Sequence, residues 1–168
     1  DNEEYLMPNG MIPMEGLTKI FGLLCYFNKK PQKMYDIYRY LYKHHLAKLM
    51  IIEVSNTENI VALCVMFERL FLRYMNQLYI HLRTKNIFPV QIASDWMYSC
   101  FLGVLSPETV FQILERLMGY NSTHFLVVVA LSYFKYYEKG LLEISKEDEI
   151  EEIFQDIKEL NLLEILNF

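Results

Sequence analysis

The stretch that decides the fold is SPETVFQILERLMGYNSTHFLVVVALSYFKYY, residues 106–137. It opens with Ser106 and a proline, a capping hydroxyl followed by a residue whose missing N–H costs nothing at the first helical position. Apolar residues then recur three and four positions apart up to Gly119, which is expected to end the helix because glycine tolerates the left-handed conformation. Ser122 is expected to cap a second helix, which is apolar nearly all round and therefore predicted to be central.

Outside this stretch the same spacing predicts further helices. They run from Pro13 to Phe27, over about residues 32–51, from Ser55 to Leu82, from Pro89 to Gly103, and from Ser145 to Leu160. Ser55 followed by Glu58 is a capping-box pattern, and a kink is expected near residues 74–77. No convincing strand is present. The sequence therefore predicts an all-α fold, an orthogonal array of about seven to eight helices.

Charge and hydropathy exclude several classes of protein. Residues 143–159 hold eight acidic residues and two lysines, so the rest of the chain is close to neutral and gives no case for nucleic-acid binding. The longest apolar run, Phe125 to Phe134, is half the ~20 residues that span a bilayer. No leader peptide is visible before Met7, and the sequence predicts a cytoplasmic chain cut from a longer polypeptide.

The side chains that could carry chemistry do not form a recognisable site. Three cysteines, an odd number among apolar neighbours, are predicted to be reduced core residues: Cys25, Cys64 and Cys100. His44 and His45 are adjacent and would point about 100° apart on a helix, while His81 and His124 stand alone. No phosphate loop, GxSxG, HExxH or CxxC is present. We therefore expect no metal, no cofactor and no independent enzyme.

Several blocks, in order, resemble the TBC domain, a module that activates Rab-type small GTPases. Residues 59–82 (NIVALCVMFERLFLRYMNQLYIHL) resemble its helix pair ending in a leucine, an aromatic residue, two further residues and then histidine-leucine, here at residues 78–82. Residues 88–101 are similar to its helix with a tryptophan shortly before a phenylalanine. Residues 110–122 (VFQILERLMGYNS) and 125–142 are similar to its last two helices.

This resemblance implies the C-terminal lobe of a TBC-type Rab GTPase-activating domain. The chain would be a single helical domain or lobe, residues 1–168, with a TBC-like region over about residues 5–142 and an acidic helical extension over 143–168. The tail from residue 145 on resembles one branch of the family, that of TBC domain family member 19. Trp96, a large aromatic on an apolar helix face, is expected to be a core residue.

The resemblance also implies where catalytic residues belong. In this family an arginine and a glutamine are supplied in trans to the bound nucleotide, as arginine fingers are elsewhere. The glutamine lies in a Tyr-x-Gln-Gly-Met motif, which corresponds here to residues 7–11 (MPNGM), with Asn9 at the glutamine position. Asparagine has the same amide on a stem shorter by one methylene. The arginine motif would lie upstream of Asp1, and the family's Trp-Asp pair is replaced by Leu114-Glu115, for which a structural role is at least as well supported.

Two hypotheses from different classes remain. In the first, the chain is part of an activator of a Rab-type GTPase in its GTP-bound form, acting in vesicle trafficking together with the N-terminal half of its own TBC domain. In the second, it is a catalytically inactive TBC-like scaffold that binds a GTPase or another protein. Either hypothesis predicts no GTPase activation by the 168 residues alone. Both fit a cytoplasmic protein, with peripheral contact to endomembranes left open.

Overall fold

The computed structural model describes residue 14 and residues 16–27, 30–144 and 149–166. Within these residues the regular structure is helical, apart from isolated bridge residues at Ile51, Leu102 and Leu105, which confirms the all-α prediction. The helices are α1 (Leu17–Phe27), α2 (Pro31–Leu41), α3 (Ala47–Met50), α4 (Ile60–Tyr74), α5 (Asn76–Thr84), α6 (Pro89–Tyr98), α7 (Pro107–Tyr120), α8 (Phe125–Tyr136), α9 (Glu138–Glu143), α10 (Glu149–Ile153) and α11 (Leu162–Leu166). A π-helical turn, Tyr42–Leu46, joins α2 to α3, and a 3₁₀ turn, Gln155–Glu159, follows α10.

The core is built around α8, as its apolar composition predicts. This helix packs against α4, α6, α7, α9 and α11. Its fully buried Phe134 lies 5.1 Å from Phe71 and 5.6 Å from Phe67, measured between ring centroids. Such tilted and edge-to-face pairs are the arrangement that the quadrupoles of aromatic rings favour. The helix is not buried on every side, because Val128 is exposed.

Helix ends follow some of the predicted signals and not others. Ser106 caps α7 as predicted, with its Oγ accepting a hydrogen bond from the Thr109 N–H at 3.3 Å. The helix continues past Gly119, however, and Asn121 adopts the left-handed conformation with φ of 51°. Asparagine is the other residue that tolerates this conformation, so the predicted end was wrong by one residue. The predicted cap at Ser122 is also wrong, because α8 begins after His124 and no side chain caps it.

The capping box predicted at Ser55 and Glu58 is wrong. The helix α4 begins at Ile60 and is capped by Asn59, whose Oδ1 accepts a hydrogen bond from the Ala62 N–H at 2.8 Å. Glu58 does not fold back, because its carboxylate is bound by groups from other parts of the chain. Long-range contacts thus override a local pattern here.

The predicted helix breaks are confirmed in two places. Met75 separates α4 from α5 with a non-helical ψ of 46°, which is the kink expected near residues 74–77. Pro89 starts α6, as expected for a proline at the first position. That helix ends at Tyr98 rather than at Gly103, because Cys100 and Phe101 take positive φ values of 51° and 63°. The turn places both side chains in the core, where neither is exposed.

The acidic extension is not the single helix that the sequence predicts. Its expected start, Ser145, lies outside the described residues, and the chain from Glu149 on forms α10, the 3₁₀ turn and α11. Because the extension is broken into short helices, its two ends pack against different parts of the chain: α10 contacts α9, and α11 contacts α7 and α8. Its buried side chains are Ile150, Ile157, Leu162 and Ile165. A segment that reads as a solvated acidic helix therefore completes the core.

Candidate interaction surface

Several aromatic side chains on α1 and α2, the first two described helices, are exposed. The helix α1 buries Ile20, Leu23 and Leu24, and it packs against α2 and α7. On the outer sides of α1 and α2 lie large exposed rings, which we call the open face: Phe21, Tyr26, Phe27, Tyr35 and Tyr40. Tyr26 is 71% exposed. Apolar patches of this kind on a helical protein commonly mark contacts with a partner.

Contacts with neighbouring rings order most of the open face. Phe21 meets Tyr38 edge to face at a centroid distance of 5.1 Å. Phe27 lies 4.4 Å from Phe111 of α7 and 5.2 Å from Tyr26. These rings are held in place on one side while the other side remains accessible, which favours a preformed docking surface. Cys25 is also exposed on α1, so the prediction that it is a core residue is wrong.

A second aromatic surface is covered by the C-terminal extension, and we call it the closed face: Trp96, Phe134, Tyr137 and Phe154. Trp96 is 7% exposed, which confirms it as a core residue. Its ring lies 5.5 Å from Phe134 and 5.0 Å from Phe154, the latter edge to face. Phe154 also meets Tyr137 at 5.2 Å. The extension thus supplies the ring that seals this face.

A groove of about 700 Å³ remains between the closed face and the extension. Its walls are mainly apolar, and its polar side chains include Asp95 of α6 and Lys158 of the 3₁₀ turn. A catalytic site needs a nucleophile within hydrogen-bond reach of a base, and the lining residues of this groove include neither a histidine nor a cysteine. The lining therefore shows no cysteine–histidine pair of the kind that activates a nucleophile.

Two of the three cysteines, Cys64 and Cys100, lie in environments that disfavour the reactive thiolate. Burial raises the pKa of the Cys100 thiol to about 12. The pKa of the Cys64 thiol is also raised, mainly by burial and to a smaller extent by the negative charges of Asp95 and Glu68. Both thiols therefore stay protonated and unreactive near neutral pH. His81 contacts the Ile144 carbonyl oxygen through Nε2 at 3.0 Å, a structural link between α5 and the end of α9.

Metal clusters and membrane-spanning helices are both absent from the described residues. No cluster of three or more His, Cys, Asp or Glu side chains that could hold a metal ion occurs in the part of the chain that the structure describes. No helix among those residues is long and apolar enough to cross a membrane.

A polar cluster that the sequence did not reveal ties three helices together, and we call it the joint: Lys48, Asn56, Glu58, Asn59 and Thr123. The Lys48 ammonium forms an ion pair with Glu58, and the Thr123 N–H donates to the Glu58 carboxylate at 3.0 Å. Asn56 donates to the Lys48 carbonyl oxygen at 2.7 Å. Burial raises the pKa of the Glu58 carboxyl, but hydrogen bonds from Lys48, Thr123 and Ser122 outweigh it and hold the pKa below its usual value.

The position that the resemblance implies for catalysis is not among the described residues. Asn9 and its motif, residues 7–11, lie outside the described residues. Leu114 and Glu115 stand where the family has its Trp-Asp pair. Leu114 is buried on the core side of α7, whereas Glu115 on the same helix is exposed to solvent.

Comparison with known proteins agrees with this architecture. The family model of the Rab-GTPase-TBC domain matches residues 14–142. The chain therefore belongs to the Rab-GTPase-TBC domain family, as the order of its sequence blocks predicts. It is 33% identical over 167 residues to TBC1 domain family member 19 of Homo sapiens, a match that covers 98% of this chain and 32% of the human protein. No solved structure matches the chain at a significant level.

The relative also agrees with the branch that the tail resembles. Its alignment extends over nearly the whole chain and so beyond residue 142, where the family model ends. The chain spans about a third of the length of this relative.

Proposed function

We propose that the chain is the C-terminal lobe of a TBC domain that activates a Rab-type GTPase in its GTP-bound form, and that it is inactive by itself. The observation that carries this proposal is the match of the Rab-GTPase-TBC family over residues 14–142. The family is one of GTPase activators, and the corresponding role in a cell would be the regulation of vesicle trafficking.

The open face supports the second part of the proposal. It lies on α1 and α2, the first two described helices, directly after the segment that carries Asn9. An N-terminal half of the same domain would cover these rings and supply the arginine that stabilises charge at the transferring phosphate. The lobe would then act by positioning that half and part of the GTPase rather than by chemistry of its own.

Single-turnover GTP hydrolysis by a panel of Rab-type GTPases tests the proposal directly. We expect the 168-residue chain to leave the intrinsic rate unchanged, whereas a longer protein that includes it accelerates at least one GTPase. Arginine fingers contribute about 10³–10⁵ in rate, so the expected acceleration is well above background. No acceleration of any GTPase by the folded longer protein would contradict the activator role, and acceleration by the chain alone would contradict its dependence on another half.

Asn9 offers a sharper test within the longer protein. If this position supplies the amide that orients the attacking water, then Asn9→Gln should raise the rate, because the side chain gains a methylene and reaches further. Asn9→Ala, the matched loss of the amide, should lower it. Two variants with the wild-type rate would remove Asn9 from the reaction.

The substitution at Asn9 also favours a second candidate, a TBC-like scaffold that binds a GTPase without activating it. The chain has asparagine and methionine where the family motif has glutamine and tyrosine. A scaffold would bind a GTPase in the longer protein with no rate change, and Asn9→Gln would not create activity. Measuring binding and hydrolysis on the same preparation separates the two candidates.

A further inference from the structure

The π-helical turn between α2 and α3 holds an unusual histidine. His45 is fully buried, and neither of its ring nitrogens has a hydrogen-bond partner among the described residues. A neutral imidazole carries one donor and one acceptor, so both are left unsatisfied at this position. Buried polar groups are rarely left in this state, and π turns inside helices are often kept at functional sites. The adjacent His44 is only partly buried and lies against Tyr40, with centroids 4.5 Å apart.

The surroundings of His45 oppose a positive charge on its ring. The titratable groups that face it are Lys48 and His44 from its own helical segment, and Glu58 from the loop before α4. Burial lowers the pKa of the His45 imidazole most, and the positive charge of Lys48 lowers it further. The negative charge of Glu58 raises the pKa but only partly offsets these effects. The Glu58 carboxylate is bound by Lys48 and by the Thr123 N–H, and neither ring nitrogen of His45 forms a hydrogen bond with it.

We propose that His45 is a proton-sensitive latch for the segment that joins α2 to α4. With a neutral ring, the π turn Tyr42–Leu46 closes over His45, and the joint holds the end of α3 against the starts of α4 and α8. When the ring takes up a proton, the charged form must reach water, because nothing inside pairs with it. The π turn then opens and draws Lys48 away from Glu58. We expect α8 to stay folded, because its main contacts are with α4, α6, α7, α9 and α11. The proposal needs no GTPase and is independent of the proposed function.

The sign of the pH dependence follows from the lowered pKa. The open segment binds a proton with the ordinary histidine pKa of about 6.5, whereas the closed segment resists it. The closed state is therefore fully favoured above about pH 6.5 and loses stability as the pH falls below that value. One proton taken up on opening shifts the equilibrium by up to about tenfold per pH unit.

Hydrogen exchange of the backbone amides of the 168-residue chain between pH 8 and 5, corrected for the intrinsic exchange rate, measures the opening. We expect protection of residues 42–50 to fall by up to about tenfold per pH unit below pH 6.5, while α8 keeps its protection. His45→Leu should abolish this pH dependence, because leucine fills the site without a titrating group. His44→Leu, the neighbouring control on the same turn, should retain it.

Three results would overturn the latch. The first is protection of residues 42–50 that does not change with pH, and the second is the same pH dependence in His45→Leu as in the wild-type chain. The third is a parallel loss of protection in α8, which would indicate global unfolding. If His45→Leu does not fold, an NMR titration of the imidazole in the wild-type chain decides. A pKa below 6.5 supports the latch, and one at or above 6.5 refutes it.

Discussion

The closed face and the open face are two sets of aromatic side chains in the same chain that differ in their exposure to solvent. On the closed face Trp96 is 7% exposed, because the C-terminal extension lays Phe154 against it. On the open face Tyr26 is 71% exposed, and its neighbours are covered on one side only. Both surfaces draw on the Phe, Tyr and Trp residues that make up 15% of the chain. Aromatic content therefore does not distinguish a core from a docking surface, and what matters is whether the chain itself supplies the covering segment.

The covering segment lies beyond the part of the chain that defines the family. The family model ends at residue 142, yet Ile150, Ile157 and Leu162 are buried against the lobe. The extension is acidic on its exposed side and apolar on its inner side, which allows it to pack on the lobe while it remains solvated. We therefore expect the folding unit to extend beyond the boundary of the family match.

The largest expected effect follows from removing the cover. A chain that ends at residue 142 should not unfold cooperatively, because at least five buried apolar side chains are lost (Ile144, Ile150, Ile157, Leu162 and Ile165) and each contributes roughly 1.5–3 kcal/mol. Circular dichroism with urea denaturation measures this. A sharp transition with nearly wild-type stability would mean that the extension is not part of the folding unit.

A matched pair within α11 tests the same point without deletion. Leu162 is fully buried, whereas its neighbour Leu163 is 53% exposed. Leu162→Ala should lower the free energy of unfolding by about 2–5 kcal/mol, and Leu163→Ala by less than about 1 kcal/mol. Equal effects would show that the packing of α11 on α7 and α8 does not persist in solution.

Trp96 tests the closed face from the side of the lobe. Trp96→Ala should lower the free energy of unfolding by about 3–5 kcal/mol, since a large ring leaves a cavity among four other rings. The control is Phe88→Ala, one residue before α6. Phe88 is 43% exposed and lies 4.2 Å from the Arg83 guanidinium, a cation–π contact of about 0.5–1 kcal/mol. A loss below about 1 kcal/mol for Trp96→Ala would place that ring outside the core.

The smallest effect is expected on the open face. Tyr26→Ser should change the free energy of unfolding of the 168-residue chain by no more than about 0.5 kcal/mol, because the side chain is mostly in water already. The same variant should reduce binding of a dye that reports exposed apolar surface. A large loss of stability would mean that Tyr26 packs within the chain, and the open face would then not be open.

Local signals in the sequence predicted much of the fold. Ser106 and Pro89 each mark a helix start correctly, because a capping hydroxyl and a proline act on backbone groups within one turn. The apolar composition of α8 correctly predicted a central helix. Errors arose where a distant residue competed for the same group. Glu58 could not complete a capping box, since it is bound by Thr123, which lies 65 residues further along the chain.

The candidate site was predictable to a smaller extent. The family followed from the order of blocks such as residues 59–82 and 110–122, although no block has a specific chemistry. The joint and the buried His45 could not be predicted, because burial depends on which helices meet. The break in the extension after Ile153 was missed for the same reason: two packing partners, α9 and α8, decide its path.

We propose that the chain itself covers the closed face, whereas the N-terminal half of the domain covers the open face. Hydrogen exchange of the 168-residue chain, compared with that of a longer protein containing the N-terminal half of the domain, tests it most directly. We predict that the amides of α1 and α2 gain at least about tenfold protection in the longer protein, while those of α8 and α11 change little. Unchanged protection of α1 and α2, with both proteins folded, would contradict the account.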